Sequence, residues 1–259
     1  MSHSVTVQEI IIILATQGQT PSVINADFLQ YTGIIPEDWQ LSRQPVYTED
    51  VAQIAYQNNV TVTVQPNRIV VAQSVENLST EEPIAPEIAR KLAIALPKVN
   101  YRAFGFNAIG YVSFADDKAP VRRYLNQTLL ADGPWQTFNG TPVETSFEFA
   151  YDLPQGRLSL SASEATLRKT DQPEGSTPIL SLTGTVEHVL TQEDTTERLN
   201  ELLGHLDSWQ SDLNTYIDLV NNGFLPTAIM SEVAAKAELY KPHSNHLAVE
   251  EIPIAQSVV

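Results

Sequence analysis

Val60, Val62 and Val64 alternate with Thr61 and Thr63, the period-two pattern of a strand with one face buried. The same alternation opens the chain. Val5, Val7, Ile11 and Ile13 predict one face of a first strand, and Thr6, Gln8, Ile10 and Ile12 the other, buried on both sides from residue 10 onward. Thr20-Pro21 then supplies a capping residue with proline at the first helical position. A short helix over 21–31 presents Val23, Ile24, Phe28 and Leu29, and Gly33 and Pro36 close it. Short strands are expected over 39–46, around Ala52, Ile54 and Tyr56, and from Ile69 to Ala72. Asn58-Asn59 suits a tight turn with positive φ. Residues 74–83 read as a loop. Ile84, Ile88, Leu92 and Leu96 recur at helical spacing over 84–96, and Pro97 stops that helix.

The plan then starts again. A long strand is predicted over 99–114, VNYRAFGFNAIGYVSF, with Phe104, Phe106, Val112 and Phe114 toward the core and Tyr101, Asn107 and Tyr111 on the opposite side. Gly105 and Gly110 inside it point to a bend or a close backbone approach. Asp116-Asp117 and Ala119-Pro120 lead into a helix over 119–131. Three strands follow, the first with Val143, Thr145, Phe147, Phe149 and Tyr151 on one face, the others over 156–168 and 178–190. The last element is the strongest. Leu199, Leu202, Leu203, Leu206, Trp209, Leu213, Tyr216, Ile217 and Val220 form one helical stripe. It predicts a single helix of more than seven turns, begun by Thr191 and Asp194 and ended by Asn221-Asn222-Gly223.

Each half therefore reads strand, helix, meander, helix. The expected class is α+β. Two β-α-β-meander-α units, over 1–97 and 98–225, join through their first strands into a mostly antiparallel sheet with helices on one face. Helix-grip and TATA-binding-protein-like folds are the architectural analogies, and they carry no function. Residues 226–259 read as a partly flexible tail with a short helical piece. The first strand, the segment NYRAFGFNAIGYV, and ILSLTGTVEHVL followed by ERLNELLGHLDSWQSDLNTYI resemble a sporadically distributed family of bacterial proteins of similar length and unsettled function. The resemblance covers most of residues 5–225. It departs at Gly184 and Thr185, where that family more often carries acids. It implies the duplicated plan and no catalytic residues.

Composition narrows the function classes. The 31 acidic and 15 basic residues leave a net charge of −16, which opposes binding to phosphate backbones and to anionic membrane surfaces. Lys118, Arg122 and Arg123 form the nearest thing to a basic cluster and read as a solvated helix face. No apolar run reaches the length of a membrane span, and the N-terminus lacks the pattern of a secretory signal, so the expected compartment is the cytoplasm. There is no cysteine, so thiolate chemistry and cysteine-ligated zinc are excluded.

No motif for catalysis stands out. The chain has no nucleophile elbow, P-loop or dinucleotide fingerprint. His243 and His246 lie three residues apart, and with Glu238 or Glu250 make a metal-like grouping, but the spacing is common by chance. Asp116 and Asp117 are a pair of Mg²⁺-ligand type, but adjacent acids just before a helix more often serve its N-terminus, and they read so here. Glu144 and Glu148 share the outer face of a strand that Glu187 could join, a pattern that can serve acid–base work but reads first as a solvated sheet face. His188 and His205 read as structural histidines. Glu197, Glu201, Asp207 and Asp212 read as the solvated back of the long helix.

The expectation is a non-catalytic cytoplasmic protein acting through protein–protein contact, as an adaptor, assembly factor or structural subunit. A protein partner or a second copy is expected, with no cofactor, metal, nucleic acid or membrane. The partner-facing candidates are Tyr101, Asn107, Tyr111, Glu148 and Glu187. The alternative is a binder of a hydrophobic small molecule in a cavity between sheet and helix, lined by Phe104, Phe106, Phe147, Phe149 and Trp209. An unrecognised hydrolase ranks below both.

Overall fold

The computed structural model describes residues 4–75, 82–113, 119–131, 133–137, 140, 144–154, 156–168 and 176–225. Phe114, Asp116, Asp117, Lys118, Val143, Glu238, His243, His246, Glu250 and the tail over 226–259 lie outside the described residues. The first half contains β1 (Thr6–Gln17), α1 (Ala26–Tyr31), β2 (Val46–Tyr47), β3 (Ala52–Ala55), β4 (Val60–Gln65), β5 (Arg68–Ser74) and α2 (Ala85–Ala95). The second contains β6 (Asn100–Ser113), α3 (Ala119–Arg123), β7 (Ser146–Leu153), β8 (Gly156–Arg168), β9 (Ser176–Val189), α4 (Thr195–Asp207) and α5 (Trp209–Asp218). No helix among the described residues is long and apolar enough to cross a membrane.

The fold is α+β. The strands form one nine-stranded sheet in the order β2-β3-β4-β5-β1-β6-β9-β8-β7. Every pairing among them is antiparallel. The two halves meet where β1 pairs with β6. In each half the last meander strand, β5 or β9, returns beside the first strand. The central strand is β1, with four strands on either side.

The helices cover one face. The row Val64, Ile69, Leu14, Phe104 and His188 crosses the sheet from β4 to β9, and all five are buried. From above, Leu92 of α2, Leu202 and Leu206 of α4, and Trp209, Leu213 and Tyr216 of α5 complete the core. At roughly 1.5–3 kcal/mol for each large apolar side chain buried, this layer supplies most of the drive to fold.

Two β-bulges change which residues face it. Gln8 has no partner between the pairs Val7–Gly110 and Glu9–Ile109. The extra residue reverses the alternation, so Val7 shares the helix side with Ile10, Ile12 and Leu14 while Ile11 and Ile13 turn to the other face. The predicted grouping of Val7 with Ile11 and Ile13 is thereby corrected. Arg102 is the second unpaired residue, between Ala15–Ala103 and Thr16–Tyr101. It turns Tyr101 into the core, where its hydroxyl donates to the Leu96 carbonyl at 3.2 Å.

Several helix boundaries also differ. Pro21 opens only a 3₁₀ turn, Pro21–Val23, and Thr20 makes no side-chain cap. Asn25 caps α1 instead, accepting from the Phe28 N–H at 2.9 Å. The strand expected over 39–46 reduces to an isolated bridge, Leu41–Tyr56, and to β2. The turn at Asn58-Asn59 forms as expected, with Asn59 at φ 64°. The helix expected over 119–131 is α3 running into a π-helical turn, Tyr124–Thr128. The single long helix is two helices with a break at Ser208, and Asp194, not Thr191, accepts from the Thr196 and Glu197 N–H groups.

The start of α2 is capped from the sheet. Gln73 of β5 is buried, and its Oε1 accepts from the N–H groups of Ile84 at 2.8 Å and Ala85 at 3.0 Å. Gln73→Ala leaves both donors unpaired in a buried place. The expected loss is about 1–2 kcal/mol, measured as a fall of roughly 2–8 °C in melting temperature. An unchanged midpoint would show that the helix start is satisfied in another way.

Candidate functional site

The other face of the sheet carries no helix among the described residues. One row runs across all nine strands: Val46, Gln53, Thr63, Val70, Ile13, Gly105, Glu187, Arg157 and Asp152. The next holds Thr61, Ala72, Ile11, Asn107, Thr185, Ser159 and Ala150. A third runs Ser74, Glu9, Ile109, Thr183, Ser161 and Glu148. The middle of the face is thus apolar, built from Ile11, Ile13, Val70 and Ile109. Serines and threonines flank it on both sides, with Gln53 on the β3 side.

Of the five partner-facing candidates, Asn107, Tyr111, Glu148 and Glu187 lie on this face, and Tyr101 does not. Tyr111 stands in the row Thr6, Tyr111, Ser181, Ser163 and Ser146. The Oδ1 of Asn107 is buried without a hydrogen-bond partner among the described residues. Glu148 and Glu187 make no acid pair: strand β8 separates them, Glu187 standing beside Arg157 and Glu148 beside Ser161. Glu9 was not singled out from sequence. The bulge at Gln8 brings it to the helix-free face at the edge of the apolar patch, between Ser74 and Ile109 and half-buried, where burial pushes its carboxyl above the ordinary range. Its signal was the break in alternation between Val7 and Ile10.

A second cluster lies on the helix side. Asp212, expected on the solvated back of the long helix, is buried at 7% exposure. Its carboxylate accepts from Nε2 of buried His188 at 3.0 and 3.2 Å. The His188 ring packs against Phe104, at 5.8 Å between ring centres, and against His205, at 4.4 Å, while Phe104 and His205 are 6.2 Å apart, so the three rings form a triangle. One edge of His205 opens to a cleft of about 550 Å³, lined also by Val189, Thr191, Glu201, Gly204 and Ser208. Burial, and next the charge of His188, hold the His205 pKa below its ordinary value, while Glu201 and Asp212 pull it upward. For Glu201, burial alone would raise the carboxyl. Hydrogen bonds from the Gln192 N–H, the Thr191 hydroxyl and the Thr191 N–H, with His205 nearby, bring it below the usual range.

A histidine bonded to a buried carboxylate is half of a nucleophile-activating arrangement. The hydroxyls on the cleft rim are committed elsewhere, however. Thr191 Oγ1 donates to Glu201 at 3.0 Å, and Ser208 Oγ donates to the His205 carbonyl at 3.1 Å. No grouping of three potential metal ligands occurs among the described residues.

The aromatic residues considered for a ligand cavity are packed against other rings. Phe104 and Phe106 are fully buried against His188, His205 and Trp209, and Phe149 meets Phe147 and Phe224. Of the basic cluster, Arg122 pairs with Glu164 at 2.8 Å. No protein-family model matches the chain, and no curated protein matches its sequence.

Proposed function

We propose that this is a non-catalytic cytoplasmic protein that works through protein–protein contact, and that the helix-free face of its sheet receives the partner. The observation that carries the reading is the apolar patch Ile11, Ile13, Val70 and Ile109, with a half-buried carboxylate, Glu9, at its edge beside Ile109. An apolar patch rimmed by polar residues is the usual make-up of a docking surface. Charge selects the occupant. Glu148, Asp152 and Glu187 outnumber Arg157 on the β7–β9 side, and the whole chain carries −16. The partner is therefore a different protein with an apolar ridge and cationic side chains, one of which meets Glu9. A second copy of this chain would place like charges together and bring two Glu9 carboxylates close.

Ile109→Arg and Glu9→Lys test the reading, since both residues are partly exposed and each change is expected to alter stability by no more than about 1 kcal/mol. Tagged full-length protein is recovered from the source cells at physiological salt, and the co-purifying protein is identified and quantified. The expected result is one basic partner at near-stoichiometric yield with the wild type, reduced at least about tenfold by either substitution. Three results would overturn the proposal: no stoichiometric partner, a partner retained equally by both variants, or a concentration-dependent dimer of the pure wild-type chain that the substitutions abolish.

A further inference from the structure

The His188–Asp212 pair and the His205 ring stacked on it lie apart from the docking face, under the other side of the sheet. Three elements meet there. His188 comes from β9, Asp212 from α5, and His205 from α4. Phe104 of β6 packs against both imidazole rings, at 5.8 and 6.2 Å between centres. Among the described residues, the charged and titratable groups facing it are those three and Glu201, since Glu187 and Arg157 point to the opposite face. The arrangement does two things at neutral pH. The Asp212 carboxylate holds the Nε2–H of His188 and so fastens α5 to β9. The neutral His205 ring lies flat on His188 and fastens α4. From this geometry we infer that the cluster is a proton-sensitive latch, which holds α4 and α5 on the sheet at neutral pH and loosens them in mild acid.

Protonation of His205 is the step that loosens it. The added charge would be half-buried, face to face with a histidine already bonded to a carboxylate. Water reaches the His205 edge through the cleft, so the proton has a route. The direction of the effect follows from linkage. His205 titrates lower in the folded chain than in the unfolded one. The unfolded state therefore binds more protons in between, and stability falls as pH drops below about 6.5. The loss is complete at the lower, folded-state pKa. Glu201 and Asp212 narrow this window without reversing it.

The test uses the full chain. Melting temperatures of wild type and His205→Phe are measured from about pH 8 to about pH 5, with the imidazole proton resonances followed by NMR. Phenylalanine keeps the stack and cannot take a proton. The expected wild-type midpoint falls by at least about 3 °C across this range, and His205→Phe loses less than half as much. Amide exchange in α4 and α5 should quicken in acid more than in β4 and β5 for the wild type alone. If His205→Phe fails to fold, His205→Gln takes its place, and the His205 resonance still decides. A His205 resonance titrating at or above the free value overturns the inference, as does a variant that keeps the full wild-type pH slope.

Discussion

Leu206→Asp is expected to abolish the cooperative melting transition of the chain. Leu206 is 2% exposed on α4, among the side chains that close the core over the sheet. Removing it loses about 2–5 kcal/mol of burial and packing. The carboxylate then has either to stay ionised in an apolar layer or to take up a proton, and both cost several kcal/mol. Together these terms approach the whole stability of an ordinary domain, about 5–15 kcal/mol. Leu206→Ala should stay folded and melt lower. Asp207→Ala, next in sequence but on the exposed side and paired with Arg90, should cost less than about 1 kcal/mol. Far-ultraviolet circular dichroism during heating separates the three. A wild-type melt for Leu206→Asp would mean that the stripe of α4 faces something other than the sheet.

Gly184→Val should be nearly as damaging, for a geometric reason. Tyr216 of α5 is fully buried and lies flat on the sheet, its hydroxyl donating to the Leu182 carbonyl at 2.8 Å. A Cβ at Gly184 would stand 2.3 Å from Tyr216 Cδ2, and one at Gly110 would stand 2.5 Å from the Tyr216 hydroxyl oxygen and 2.6 Å from Val5 Cγ2. The two glycines form the floor on which the ring lies. Even Gly184→Ala has to move the ring, at about 1–3 kcal/mol for overpacking and about 1 kcal/mol for the hydrogen bond if it is lost. Valine adds a second clash. Gly184→Ala with Tyr216→Leu should cost less than the sum of the single changes, because leucine vacates the space the new methyl needs. Strict additivity in urea unfolding would show that the ring and the glycine do not compete.

Much of the fold could be read in advance, and for one reason. Wherever the chain is regular, burial follows the period of its backbone. Val60, Val62 and Val64 are fully buried, as their alternation with threonine requires. The stripe from Leu202 to Val220 faces the core despite the break at Ser208. The pairing of β1 with β6 followed from the repeated plan, because two units that each leave a first strand unpaired on one side complete each other.

The candidate sites were less readable, because they depend on departures from the period and on distant neighbours. Gln8 and Arg102 are single unpaired residues, and beyond the interrupted alternation between Val7 and Ile10 nothing local marks them as bulges. They nonetheless decide that Glu9 lies on the helix-free face and that Tyr101 does not. Asp212 stands among residues of a solvated face, and it is buried because His188, 24 residues earlier, is placed beneath it to be its partner. Gln73 caps a helix that begins 12 residues beyond it. The alternation of side chains is a property of each segment and is written in the sequence. The partner of a buried polar group is a property of the packed sheet and helices, and it exists only once β6, β9, α4 and α5 have come together.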